Sequence, residues 1–149
     1  MKLREASTGD LDITFEWASS EELRRFSFNK NPVKKEEHRD WFMKKINDKD
    51  CEFYMLIQNN DAMGYVRFDI YEQDKALISY LVASSYQGRG YGTKMLSMGI
   101  ETLRKKRPEI RYLQGSVLNE NIPSMAIFEK LDFVKSIRDI NSFNFEKRI

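Results

Sequence analysis

Ala83-Ser84-Ser85-Tyr86-Gln87-Gly88-Arg89-Gly90-Tyr91-Gly92-Thr93-Lys94 joins a strand-like run, Ile78 to Ala83, to a helix-like run that begins near residue 90. Glycines at 88, 90 and 92 let the backbone take positive φ and come close to a ligand. The helix that follows adds unpaired N–H groups and the positive end of its dipole. A strand, a glycine turn and a helix N-terminus together form a site for a phosphate or pyrophosphate. Two nucleotide patterns fail on these residues. A P-loop ends in Gly-Lys-Ser/Thr after four intervening residues, and five on from Gly88 stands Thr93. The dinucleotide pattern Gly-x-Gly-x-x-Gly fails because Gly92 comes one residue early. What the residues do spell is Gln87-x-x-Gly90-x-Gly92.

Working outward, the runs 52–58, 62–70 and 75–83 are rich in β-formers. The short turns Asn59-Asn60-Asp61 and Gln73-Asp74 make them an antiparallel meander. Before them come a short strand over 2–6 and a helix from near Asp10, capped by Thr8, with Leu11, Phe15 and Trp17 as its apolar residues. This helix continues or restarts over 20–26. A polar loop over 27–32 leads to a second helix over 33–47, with Trp41, Phe42 and Ile46 on one face. After the glycine turn, Gly92, Leu96, Gly99, Ile100 and Leu103 mark the packed face of a helix over 90–106. A strand over 110–118 follows. Asn121 then caps a helix with Pro123 in its first turn, and strands over 133–139 and 142–146 close the chain. The order β-α-α-β-β-β-α-β-α-β-β predicts an α/β domain with a mostly antiparallel sheet and helices on both faces.

The 149 residues, 41% hydrophobic and 32% charged, suit one domain over 1–149 with a real core. A net charge of +2 supplies no field for nucleic acid or an anionic membrane, so neither is expected as a partner. The run Arg104-Lys105-Lys106-Arg107 falls at a helix C-terminus, where the dipole favours cations. With Cys51 and His38 the single residues of their kinds, no disulfide framework and no zinc or other metal site is expected. The charged start Met1-Lys2-Leu3-Arg4-Glu5 is no signal peptide, and no run approaches ~18 apolar residues. The expected location is the cytoplasm.

The loop motif, the strand before it and the later stretch Asn121-Ile122-Pro123-Ser124-Met125-Ala126-Ile127-Phe128-Glu129-Lys130-Leu131-Asp132-Phe133 are the most specific signals. They resemble the two hallmarks of the GNAT superfamily of acetyl-CoA-dependent N-acetyltransferases. These are Gln/Arg-x-x-Gly-x-Gly/Ala and Asn-x-x-Ala/Ser-x-x-x-Tyr-Glu-Lys-x-Gly-Phe. With the order of elements, the resemblance covers essentially the whole chain. It implies a pantetheine arm lying against Leu81, Val82 and Ala83 like an added strand. It implies a backbone N–H there, at Leu81, that stabilises the developing oxyanion. The amides of Gly88, Arg89, Gly90, Tyr91, Gly92 and Thr93 would hold the pyrophosphate. Gln87, Asn121, Phe128 and Lys130 would complete the cofactor site, with Lys94, Arg89 or Lys130 near the adenosine phosphate. The amine attacks directly, so Cys51 is not needed as a nucleophile and reads as a buried strand residue. Two positions depart from the pattern. Phe128 stands where the family often has a tyrosine that protonates the leaving thiolate, although a thiolate of pKa ~8.5 leaves tolerably unaided. Asp132 stands where glycine is usual.

The amine must lose a proton before attack. His38 has a suitable ordinary pKa for that role. Tyr80 is a candidate acid or relay, with Asp69 and Glu72 after it. The segments Ser27-Phe28-Asn29, Glu36-Glu37-His38-Arg39-Asp40-Trp41-Phe42 and Gly64-Tyr65-Val66-Arg67-Phe68-Asp69 resemble amino-sugar N-acetyltransferases of the pseudaminic-acid pathway. In that reading Asn29, His38 and Arg67 bond sugar hydroxyls or a diphosphate, and Trp41 or Phe28 stacks on a base or sugar. Trp41 and Phe42 read equally as the core face of their helix. The alternatives are acetylation of protein N-termini, lysines or polyamines, and a non-catalytic acyl-CoA-binding module, which Phe128 suggests. Edge strands at the C-terminal end leave the chain a monomer or a homodimer.

Overall fold

A computed structural model describes residues 1–149. Its strands are β1 (Lys2–Glu5), β2 (Cys51–Gln58), β3 (Asp61–Tyr71), β4 (Lys75–Val82), β5 (Tyr112–Leu118), β6 (Val134–Asp139) and β7 (Ser142–Arg148). Its helices are α1 (Leu11–Ser19), α2 (Glu21–Arg24), α3 (Lys35–Ile46), α4 (Tyr91–Lys106) and α5 (Ile122–Lys130). The strands form one sheet in the order β1-β2-β3-β4-β5-β7-β6. Every pairing is antiparallel except β4 with β5. A parallel pair needs a long crossover, and α4 provides it.

The meander follows from its turns. Asn59 and Asn60 take φ of 52° and 66°, and Glu72 and Gln73 take 50° and 68°. Two residues in succession at positive φ make the tight hairpin turn whose twist matches the strands it joins. The second turn is centred one residue before the Gln73-Asp74 expected from sequence. Alternation along β2 then serves both faces. Tyr54 and Leu56 enter the core under α4 and α5, with Val66, Phe68, Leu96 and Leu103. Phe53, Met55 and Ile57 enter a second core with Trp17 of α1 and Phe42 of α3. The sheet is thus covered on both sides.

The start of α1 differs from expectation. A single 3-10 turn over Thr8–Asp10 precedes it, and Asp10, not Thr8, does the chemistry. The buried Asp10 carboxylate accepts Arg4 Nη1 and Nη2 at 2.7 and 2.8 Å and the Ser7 amide at 2.9 Å. Burial alone would raise its pKa, but Arg4 and Ser7 outweigh burial and hold it below the usual carboxylate range. A depressed folded pKa contributes stability above the unfolded value of ~3.9, which is lost as pH falls through the folded value. Asp10→Asn should therefore destabilise the protein by about 1–2 kcal/mol at neutral pH. It should also flatten the acid limb of stability below about pH 4, read by denaturant titrations at several pH values.

Three residues of the basic run at the end of α4 have carboxylate partners, Lys105 with Glu101 and Lys106 and Arg107 with Glu52. Glu52, buried on β2, accepts Lys106 Nζ at 3.0 Å, Arg107 Nε at 2.9 Å and the Tyr54 hydroxyl at 3.1 Å. These bonds anchor the helix on the sheet. No helix is long and apolar enough to cross a membrane.

Candidate active site

The sheet is incomplete at its centre. β4 and β5 pair only over Lys75–Leu77 and Tyr112–Gln114, whereas β3 pairs with β4 from Gly64 to Tyr71 and β5 with β7 along its whole length. Past Leu77 the two strands part, and α4 begins at the top of the gap. The direction of the backbone groups there follows from one bond. Ala83 N–H donates to the Met63 carbonyl at 2.8 Å. Antiparallel pairs alternate, so Leu81 and Ala83 turn their amides toward β3, and Tyr80 and Val82 turn theirs into the gap. The Val82 carbonyl shows this direction, since it accepts Gln87 Nε2 at 2.9 Å. Within Leu81–Ala83 the amide aimed into the gap is therefore that of Val82, one residue from the Leu81 expected from sequence. Strand parity is set by register, which the sequence does not display.

The glycine turn crowns the gap. Gly88 and Gly90 take φ of 74° and 81°, a region that strains side-chain-bearing residues, and a Cβ at either would meet nothing within 4 Å. The space above the turn is open, so the glycines are needed for torsion rather than for packing. Gly92 differs, since a Cβ there would lie 2.8 Å from Ile127 Cδ1. It lets α4 close on α5. Lys94 N–H is the first helix amide taken by a backbone acceptor, at the Gly90 carbonyl. The amides of Tyr91, Gly92 and Thr93 thus face the open side at the positive end of a 16-residue helix. Arg89 and Lys94 lie exposed beside them. This donor set fits a diphosphate. Gln87 braces the turn to β4. Asn121 caps α5, accepting the Ser124 amide at 3.3 Å. Lys130 is exposed at the far end of α5.

The face of the sheet opposite α4 and α5 carries the other half of the site. Arg67 donates to Asp69 at 2.9 Å and to the Ser79 hydroxyl at 3.2 Å, and its guanidinium lies 4.9 Å from the Trp41 ring centroid. Lys45 reaches Asp69 at 2.7 Å. Burial opposes the charge on Asp69, but Arg67 and Lys45 hold its carboxyl below the usual range. Trp41 and Arg67 are therefore brought together. Asn29 is not. It sits on the exposed loop between α2 and α3, its carbonyl bound by Arg24 and its Oδ1 by the Asn31 amide. That loop crosses to the far half of the sheet. Lys30 meets Glu120 at 3.4 Å and Phe28 lies under Arg138 at 4.7 Å. The sequence holds no local signal for this bridge, because its partners are about a hundred residues away.

The acid–base candidates separate sharply. His38 is 5% exposed, its Nε2 3.0 Å from the Thr14 hydroxyl and its ring between Phe15, Trp41 and Phe42. Burial lowers its pKa. It joins α3 to α1 and does not face the gap, which corrects its expected place among the exposed catalytic and acceptor groups. Its position four residues before Phe42, on the same helix face, is the sequence signal for this. Cys51 is buried, and burial pushes its thiol up to about 12. It is a core residue, as expected. Glu72 is an exposed turn residue paired with Lys75. Tyr80 lies in the gap on the α5 side of β4, its hydroxyl 2.6 Å from Ser124 Oγ. Ser124 is read from the sequence as the Ala/Ser position of the second hallmark, not as a partner of Tyr80.

Free amides at a helix N-terminus above an unpaired pair of strands can take a long, phosphate-bearing ligand. The comparisons identify the family. Residues 1–134 match the family model described as the acetyltransferase (GNAT) domain. An uncharacterised protein of Methanocaldococcus jannaschii is 27% identical over 139 residues, covering 90% of this chain and 28% of that protein's own length. A domain of known structure from the same organism is 24% identical with a TM-score of 0.85, covering 99% of this chain and 97% of that one. The spermidine N-acetyltransferase of Vibrio cholerae, solved with CoA and spermine, shares 15% identity at a TM-score of 0.88, covering 99% and 94%. The chain belongs to the GNAT acetyltransferase domain family. Acetyl-CoA is the acyl donor such a domain uses.

Proposed function

We propose that the protein transfers the acetyl group of acetyl-CoA to a primary amine carried on a nucleotide-linked amino sugar. The observation that carries the transfer reading is the anion site at the start of α4, continuous with the gap between β4 and β5. In this reading residues 88–93 hold the diphosphate and the pantetheine arm lies along Val82. The Val82 amide faces the thioester carbonyl, and a fixed N–H there stabilises charge as it develops on that oxygen. The amine attacks the acyl carbon directly from the α3 side of the sheet.

Three features support an anionic, hydroxyl-rich acceptor. Arg25 has no carboxylate partner, and Arg138, which also meets Asp139, lies over Phe28 of the same loop, so cations lie along the loop taken as the acceptor entrance. Trp41 and Phe28 each carry a guanidinium, Arg67 and Arg138, over one ring face, so aromatic and cationic groups stand side by side for an anionic acceptor. Ser79, Ser116 and Asn144 line that face of the sheet with hydroxyl and amide groups. A polyamine would meet like charge at this entrance. Release of CoA thiol with a nucleotide-linked amino sugar, and not with spermidine or peptide N-termini, is the expected result. Turnover with spermidine or peptides alone would remove the sugar and leave the acetyl transfer.

A further inference from the structure

The leaving thiolate needs a proton, and the position at which the family's tyrosine is expected cannot give one. Phe128 has no hydroxyl, and its ring does not reach the gap. It is 2% exposed, stacked on Phe145 at 5.2 Å and edge-on to Phe133 at 4.9 Å. Its tip points at β5, since a Cβ on Gly115 would lie 2.5 Å from Phe128 Cζ. A hydroxyl added at that tip would run into the β5 backbone. The proton has to come from elsewhere.

We propose that the Tyr80–Ser124 hydroxyl pair is the proton donor to the departing CoA thiolate. The inference rests on acetyl transfer from acetyl-CoA, not on which amine accepts it. Tyr80 stands on β4 three residues beyond the last pair with β5, so its side chain lies where the two strands have parted. It shares the α5 side of β4 with Val82, and its Cε2 is 3.9 Å from where a Cβ on Gly92 would stand. An arm descending from a diphosphate at residues 88–93 passes Val82 and meets Tyr80 next. The ring is held edge-on to Phe128 at 6.0 Å, and the hydroxyl is held by Ser124 at 2.6 Å. Ser124 is 8% exposed in the first turn of α5, and Tyr80 is the one partner of its hydroxyl. The family motif accepts alanine at this position, so the hydroxyl is not required to build the helix.

The step balances. The amine nitrogen bonds to the acyl carbon, and the C–S bond breaks with its electron pair on sulfur. The Tyr80 proton moves to sulfur, Ser124 returns one to Tyr80, and water resupplies Ser124. The proton that the amine sheds goes to solvent. Burial pushes the phenol up to about 12, with the Ser124 bond opposing the rise. The phenol is therefore protonated at neutral pH. It is a weaker acid than a thiol of pKa ~8.5, so its proton moves only as Ser124 replaces it.

Tyr80→Phe should lower kcat by about 100-fold with KM for acetyl-CoA unchanged, on whichever amine the wild-type protein acetylates. Ser124→Ala should lower kcat less, by roughly 10-fold. Phe128→Tyr placed on Tyr80→Phe should not restore the rate. A second readout needs no turnover. A hydroxyl donating to sulfur favours thiolate, so wild-type protein should bind CoA increasingly better than desulfo-CoA from about pH 7 to about pH 9. That preference should be flat in Tyr80→Phe, with desulfo-CoA affinity unchanged. A kcat within about twofold of wild type in both single variants would overturn the proposal, as would the same pH-dependent preference for CoA in Tyr80→Phe. Neither result depends on the sugar.

Discussion

Gly90→Glu is expected to weaken acetyl-CoA binding by about 100-fold, or ~2.7 kcal/mol, while the fold survives. Two effects combine. At φ 81° a side chain costs about 1 kcal/mol of backbone strain. The added carboxylate also enters the anion site, where the amides of Tyr91, Gly92 and Thr93 would bond it in place of phosphate. The space above Gly90 is open, so nothing in the protein is displaced. The melting temperature should fall by only a few degrees, about 3 °C for 1 kcal/mol. Gly90→Ala separates the two effects, since it carries the strain without the charge and should cost less than about 10-fold in affinity. Calorimetric titration with acetyl-CoA decides. Undiminished affinity in Gly90→Glu would remove the glycine turn from the donor site.

Phe42→Ala should be the most damaging single truncation, at about 3–5 kcal/mol, with a melting temperature lower by roughly 10 °C. Phe42 is fully buried, edge-on to Phe53 of β2 and stacked on His38. It is the residue through which α3 grips the sheet, so its loss leaves a cavity that Trp41 and Met55 cannot fill without moving. The damage should be one-sided. The donor site hangs from β4 and α4 on the opposite core, so acetyl-CoA affinity at a temperature where the variant is folded should stay near wild type. KM for the amine should rise, because Trp41 and Arg67 lose their support. A variant that lost acetyl-CoA binding and kept its amine KM would reverse the assignment of the two faces.

The parts of this molecule legible in the sequence are those set by local chemistry. The first hairpin turn follows from Asn59-Asn60, α5 from Asn121 and Pro123, and the glycine turn before α4 from Gly88 and Gly90. The illegible parts depend on partners distant along the chain. Leu81 and Val82 exchange roles on a single bond from Ala83 to Met63, which is a matter of register. His38 is a candidate base on its ordinary pKa alone, and although its spacing to Phe42 hints at burial, Thr14 and Phe15, which help enclose it, lie more than twenty residues earlier. Ser124 stands in a recognisable motif, but its bond to Tyr80 is illegible because that partner lies 44 residues earlier. The contacts of Arg24 with the Asn29 and Asn31 carbonyls and of Lys30 with Glu120 likewise have no local signal.

In the proposed mode of binding the donor occupies the turn at the head of α4 and the gap below it. Amide hydrogen exchange with and without CoA tests this residue by residue. Slowed exchange is expected at Val82 and at Gly88 to Thr93, with Leu81 and Ala83 unchanged because their amides are already held by β3. Protection confined to other elements, or equal at Leu81 and Val82, would contradict it.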